Sequence, residues 1–302
     1  MVYLQISYAT AVEMNLKKGK LDYHNFTAYI SVGEKCLFNC SFCSKARDSK
    51  SELDLLSRVI WPEVSMEEFK SHFVRDKFKR VCIQVISSIN YWSELAELLN
   101  FTKEQKVKTS VSIRPKNIEE IRILFDKYEV DRVGIAVDVA NEELFSIIKG
   151  GRYSTYEDLL IAVSQEFPNR ITTHLIVGLG ETDKDIVNFL LKMKKLSITV
   201  SLFAFTPVKG TKLENANTPD IERYRKIQYA RQMILEYELD RDSFIFDENG
   251  NIMHLPDLEI DKEESIKTAG CSWCTRPFYN EKPGKELYNV PLPKNVLIKS
   301  YR

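Results

Sequence analysis

Between residues 27 and 270 of this 302-residue chain, short β-branched runs alternate with segments whose apolar residues recur at helical spacing. No Gly/Ser linker interrupts the alternation, and nothing else constrains the fold as strongly. Strands are expected near 27–32, 80–86, 107–113, 131–137, 170–177, 198–205 and 243–246, with a weaker eighth at 264–269. Helix starts are legible between them. Ser65 with Glu68 and Thr182 with Asp185 have capping-box spacing, Asn117 and Asn141 suit N-caps, and Thr218-Pro219 reads as a cap followed by a first-turn proline. The expected fold class is α/β: a (β/α)8 TIM-type or partial barrel. Residues 1–26 read as an N-terminal extension, 27–270 as the barrel, and 271–302 as a C-terminal extension covering the barrel mouth. An open doubly wound sheet is the alternative that the same alternation permits.

Forty-three Lys+Arg balance 43 Asp+Glu, so bulk charge offers no attraction to nucleic acid or membrane. No apolar run approaches the ~18 residues of a membrane span. The first residues lack the basic-then-apolar order of a signal peptide, so a cytoplasmic protein with free thiols is expected. Five of the six cysteines fall in two clusters, Cys36, Cys40 and Cys43, then Cys271 and Cys274; Cys82 stands apart. The first cluster has the spacing C-x3-C-x2-C and directly follows the first expected strand, inside a connection long enough to suggest a function of its own. Three thiolates so spaced can wrap one face of a [4Fe–4S] cluster and leave the fourth iron open to a substrate or cofactor. Zinc is the alternative: Cys40-x2-Cys43 could pair with Cys271-x2-Cys274 as a ribbon, making the chain a non-enzymatic scaffold or an electron carrier.

A C-x3-C-x2-C loop after the first strand of such a barrel, with Phe42 just before the last cysteine, resembles the radical S-adenosylmethionine (SAM) enzymes. The resemblance implies that the open iron of a [4Fe–4S] cluster at Cys36, Cys40 and Cys43 binds the amino and carboxylate groups of SAM. It also implies reductive cleavage to a 5′-deoxyadenosyl radical, with a ferredoxin or flavodoxin as electron donor. Ile176-Val177-Gly178-Leu179-Gly180-Glu181 is similar to the superfamily's G-x-I-x-G-x-x-E element near the adenine, with His174 in place of the first glycine, and this points to Ile176, Gly178 and Glu181. Asp138 resembles the ribose-contacting acid of biotin synthases, Ala136 standing where their Asn does. Arg152 resembles an arginine near the methionyl carboxylate, and Ser87 or Ser88 stands where a Gly-Gly-Glu often holds the amine.

The likeness to biotin synthases runs over residues 30–240 and departs at their second cluster. One of its three cysteine positions is Cys82, and the others are Ser110 and Thr172. Cys82, Cys271 and Cys274 are expected instead to hold a second [4Fe–4S] cluster, with Ser300 as a candidate fourth ligand. Cys82 as an ordinary buried cysteine, and Cys271-x2-Cys274 as a redox dithiol, are the other readings. The tail Gly270-Cys271-x-x-Cys274-x-Arg276-Pro277-Phe278-Tyr279-Asn280-Glu281 resembles the components of two-component lipoyl synthases. Two related radical proteins there insert sulfur into an octanoyl chain held on a lysine of a carrier, an H protein or E2 lipoyl domain. Such a carrier and a second radical SAM protein are the implied partners, and Lys282, Lys285, Lys294, Lys299 and Arg302 would face an acidic carrier. A relative without sulfur donation, of the hydrogenase-maturase or methylornithine-synthase type, is the alternative.

Overall fold

A computed structural model describes residues 2–21, 25–57, 59–274 and 286–290. Strand β1 (Tyr3–Ile6) and helix α1 (Tyr8–Glu13) precede β2 (Thr27–Val32). The long connection after β2 contains a hairpin of β3 (Leu55–Leu56) and β4 (Val59–Ile60), then β5 (Glu63–Ser65) and α2 (Met66–His72). Strand and helix then alternate through β6 (Arg80–Val85), α3 (Tyr91–Glu104), β7 (Lys108–Ser112), α4 (Ile118–Asp126) and β8 (Arg132–Gly134). There follow α5 (Glu142–Ile148), α6 (Tyr153–Glu166), β9 (Ile171–Val177), α7 (Asp183–Lys195), β10 (Thr199–Ala204) and α8 (Ile221–Glu236).

One sheet joins eight of these strands in the order β10-β9-β8-β7-β6-β2-β1-β5. The run from β2 through β6 to β10 is parallel and in chain order, each strand pairing with the next after a helical crossover. Strand β1 lies antiparallel to β2, and β5 antiparallel to β1. The segment expected as an N-terminal extension therefore supplies a strand, and the architecture is a partial barrel.

Two expected strands are corrected. Residues 243–246 do not enter the sheet: Ile245–Phe246 pairs with Ile252–His254 in a local hairpin. Its turn closes because Asp247 Oδ1 accepts from the amides of Asn249 and Asn251 at 2.9 and 2.8 Å, so Phe246 pairs with Ile252 and Ile245 with His254 nearby in the chain rather than across the barrel. Residues 264–269 begin inside a short helix, Lys262–Ser265, whose N-cap is Asp261, and only Lys267 bridges, to Val290. The edge of β10 is covered by side chains instead of a seventh strand. Arg231 Nε donates to the Val200 carbonyl at 3.1 Å, and Asn289 Nδ2 to that of Leu202 at 3.4 Å.

The parallel strands divide their residues by the two-residue period. Outward positions such as Ala28, Ile30, Val81, Ile83, Leu175, Val177 and Leu202 join the hydrophobic core with Leu95, Leu98, Leu124, Leu160, Leu190 and Ile227 of the helices. Many inward positions are polar or small, and together with Tyr29, Ile176 and Phe203 they form the site described below. Among the described residues no helix is long and apolar enough to cross a membrane.

The caps follow the sequence with one shift. Thr182 and Asp185 form a full capping box, Asn117 and Asn141 cap α4 and α5, and Ser65 accepts from the Glu68 amide. The cap of α8 is Asp220 rather than Thr218, since Asp220 Oδ1 accepts from the amides of Glu222 and Arg223 and Pro219 stays outside the helix. Asp220→Ala should cost about 1 kcal/mol of stability in urea denaturation. Thr218→Ala at the exposed neighbouring position should stay within about 0.5 kcal/mol.

Candidate functional site

The loop carrying Cys36, Cys40 and Cys43 leaves the C-terminal end of β2 through Gly33. Its φ is +82°, and a Cβ there would stand 2.5 Å from the Ile86 carbonyl oxygen, so glycine is required. Backbone hydrogen bonds strap the loop to three neighbours: Leu37 N to Ser87 O (2.9 Å), Ser41 N to Ile148 O (2.7 Å) and Lys50 N to Gly210 O (2.8 Å). Within the loop, Cys36 N donates to Lys45 O at 2.9 Å and Arg47 N to Phe38 O at 2.8 Å. The Phe38 amide is aimed at Cys36 Sγ, 3.4 Å away. Burial pushes the Cys43 thiol up to about 12 and also raises Cys40, which the nearby Lys149 partly offsets. Buried thiols of this kind become thiolates by binding a metal, which removes the proton outright.

These residues fit an iron–sulfur cluster. The donors are all sulfur, an amide already points at one of them, and the loop is rigidly tied. Among the described residues no three His, Cys, Asp or Glu side chains converge as a lone ion needs. A cluster does not require that convergence, because each thiolate binds a different iron. The zinc ribbon is corrected: the two cysteine pairs lie at opposite ends of the strands. The Cys36–Cys43 loop sits beyond the C-terminal ends. The Cys271–Cys274 loop, expected at the mouth, is bonded to Thr27 and Arg80, the first residues of β2 and β6.

Between the two ends lies a cavity of about 240 Å³. Inward residues of the parallel strands line it: Tyr29, Gln84, Ser110, Ser112, Gly134, Thr172, His174, Ser201 and Phe203, with Phe42, Cys43 and Asp138 at the upper end and Arg80, Cys82, Cys271 and Cys274 at the lower. Of the residues expected near SAM, the cavity thus brings together Phe42, Asp138 and Ile176. Asp138 has φ +67°, a left-handed conformation that Asp tolerates better than most residues. Its carboxylate is held at 2.7 Å by Lys149, whose ammonium also donates to the Ala136 carbonyl. Burial opposes the charge on Lys149, yet Asp138, Tyr156 and Cys40 together lift its pKa above the ordinary range.

Other expected residues lie around the cavity rather than on it. The carboxylate of Glu181 accepts from the amides of Gly178 and Leu179, both at 2.8 Å, and from Arg223 at 3.2 Å, so it braces its own turn. Gly178 needs its φ of +104°, with the Pro219 and Phe205 side chains packed where a Cβ would go. Ser87 and Ser88 follow β6, where the Ser87 carbonyl holds Leu37. Arg152 precedes α6 as an exposed cap residue without a side-chain cap bond. The arginine next to the cysteine loop is Arg114, stacked 3.5 Å from the Phe38 ring, with a buried Nη1 that has no hydrogen-bond partner. Ser300 lies outside the described residues.

At the lower end, Cys82 accepts from Gln84 Nε2 at 3.1 Å, and the Tyr29 hydroxyl lies 3.4 Å from Cys274 Sγ. Burial pushes Cys82 up to about 12, and Cys271 is also raised by burial, against the pull of Arg80. Trp273 takes φ +66°, a strained backbone for a bulky residue; Thr27 Oγ1 donating to its carbonyl and an edge contact with Phe26 hold it there. Sequence reading missed Arg80, Arg114 and Lys149. The first had a signal: a charged residue two places before Cys82 on a strand shares its inward face.

A family model described as the Radical SAM superfamily matches residues 30–193. The biotin synthase of Persephonella marina is 26% identical over 197 residues, covering 64% of this chain and 57% of that protein. That of Methanococcus maripaludis is 22% identical over 235 residues, covering 77% and 70%. The chain thus spans a little over half the length of the Persephonella relative. Among solved structures, methylornithine synthase superposes with a TM-score of 0.50 at 14% identity, covering 75% of this chain and 66% of that one. Streptococcus suis SuiB bound to its precursor peptide gives 0.53 at 15%, covering 77% and 50%. These structural likenesses concern the fold.

The Lys149–Asp138 pair is buried, so removing one partner strands the other's charge. Lys149→Met should cost about 3–5 kcal/mol in denaturant unfolding, and Lys149→Met with Asp138→Asn should recover part of the loss.

Proposed function

The chain belongs to the radical SAM superfamily, and within it we propose a sulfurtransferase of the lipoyl-synthase type, inserting sulfur into an unactivated C–H bond of an octanoyl chain on a carrier-protein lysine. When bound, the [4Fe–4S] cluster and SAM supply a 5′-deoxyadenosyl radical, a reagent for C–H bonds that acid–base side chains cannot break. Cys36, Cys40 and Cys43 would hold the cluster, and the Phe38 amide would donate to one of its sulfur ligands. Lys149 fixes Asp138 at the cavity wall beside the cluster loop, where a carboxylate can accept from ribose hydroxyls. Phe42, Ile176, Phe203 and Phe205 give the cavity an apolar wall that excludes water and suits an unbranched acyl chain.

One observation carries the reading. Cys82, Cys271 and Cys274 line the same cavity from its other end, where a second cluster would stand as a sulfur source facing the substrate. The readings of Cys82 as plain core and of the pair as a dithiol leave that gathering of three thiols unexplained. The proposed partners are an H protein or E2 lipoyl domain, a second related radical SAM protein, and a ferredoxin or flavodoxin.

The test is iron content after anaerobic reconstitution. About eight irons per chain are expected, falling to about four in the Cys36→Ala/Cys40→Ala/Cys43→Ala variant. Cys271→Ala should keep SAM cleavage and lose sulfurated product. About four irons in the parent, falling to none, would retire sulfur insertion in favour of chemistry of the methylornithine-synthase type.

A further inference from the structure

We propose that Arg80 is the charge partner of the second iron–sulfur site, donating from Nη1 to the group that Cys82, Cys271 and Cys274 hold and setting its reduction potential. The inference rests on the reading that these cysteines bind a cluster. Arg80 begins β6 two residues before Cys82, so the strand period turns both into the cavity. It is only 1% exposed, and among the described residues lining the cavity it is the one Lys or Arg.

Its donors are divided in a specific way. Nε donates to the Ser272 carbonyl at 3.0 Å, and Nη2 to the Ser272 hydroxyl at 3.2 Å and to the Asp131 carboxylate. The guanidinium is thereby fixed to the loop that carries two of the thiols. Nη1 is buried and has no hydrogen-bond partner, although buried donors are almost always paired. The hydroxyl of Ser110, paired in register with Cys82, lies against the thiols of Cys82 and Cys271. An orphaned guanidinium donor next to three thiols calls for an anionic acceptor beside it. Three thiolates on an iron–sulfur core form such a group, and hydrogen bonds and charge at its sulfurs are what tune its potential. A lysine could supply the charge but not the fork that grips Ser272 and still leaves a donor free.

A nearby cation stabilises the reduced, more negative state, so the sign of the effect is set. In the reconstituted full chain, redox titration followed by electron paramagnetic resonance should show a lower potential for the second cluster in Arg80→Gln, with part of the shift restored in Arg80→Lys. Asp131→Asn, which leaves Arg80 less compensated, should move the potential upward without touching the arginine. The potential of the first cluster should stay constant in all three. If Arg80→Gln does not retain the second cluster, Asp131→Asn and Arg80→Lys carry the measurement. Unmoved potentials in every variant that keeps about eight irons would overturn the role of Arg80 and leave the second cluster standing. About four irons in the parent, unchanged by Cys271→Ala, would retire the cluster and the inference with it.

Discussion

The sheet's inner face has to stay unfilled for anything else in this molecule to work. In a closed (β/α) barrel the inward positions are bulky branched residues that pack the centre solid. Here Ser110, Ser112, Gly134, Thr172 and Ser201 occupy inward positions on β7 to β10, and none of them can reach across the centre. The cavity that remains runs the length of the strands. Stability is recovered on the outer face, where aliphatic residues of every parallel strand pack under the helices. Side chains and the segment at 289 cover the edge of β10 in place of a seventh strand, so the centre can stay open without an exposed edge.

An open channel has two ends, and the chain places thiols at both. The upper set hangs on a loop tied by backbone bonds to three separate connections, and movement in any of them would shift the cysteines. The lower set combines a strand cysteine with a loop that reaches the sheet from more than 180 residues further along the chain. Arg80 joins these two parts: it is a strand residue whose donors hold the loop. The reacting groups of a radical enzyme must be kept from water and from side reactions. A channel with thiols at its ends and an apolar wall between them meets that requirement.

Much of this could be read before the fold was known. Alternating β-branched and helical segments located the six parallel strands to within three residues at either end, because period and propensity are local. The caps at Thr182, Asn117 and Asn141 were equally legible, since a cap depends on a side chain and an amide two or three positions away. The first cysteine cluster was legible from its spacing, whereas Asp138 was singled out by the resemblance to biotin synthases. The misplaced elements were those whose partners are distant. Residues 243–246 have strand composition, and only the Asp247 turn sends them into a hairpin. Glu181 is expected at the SAM site, and the fold adds that its carboxylate accepts from Gly178 and Leu179 nearby and from the distant Arg223.

By itself, then, the sequence determined the fold class, the chain positions of the six parallel strands and the spacing of the first three thiols, all consequences of short-range period and spacing. Tertiary structure alone decided which end of the barrel Cys271 and Cys274 occupy, that Lys149 is the counter-charge of Asp138, and that Arg114 rather than Arg152 lies against the cysteine loop. The reason is physical. Such pairings join side chains far apart along the chain, and they arise from burial, because a charge removed from water must find whatever partner the folded backbone puts within reach.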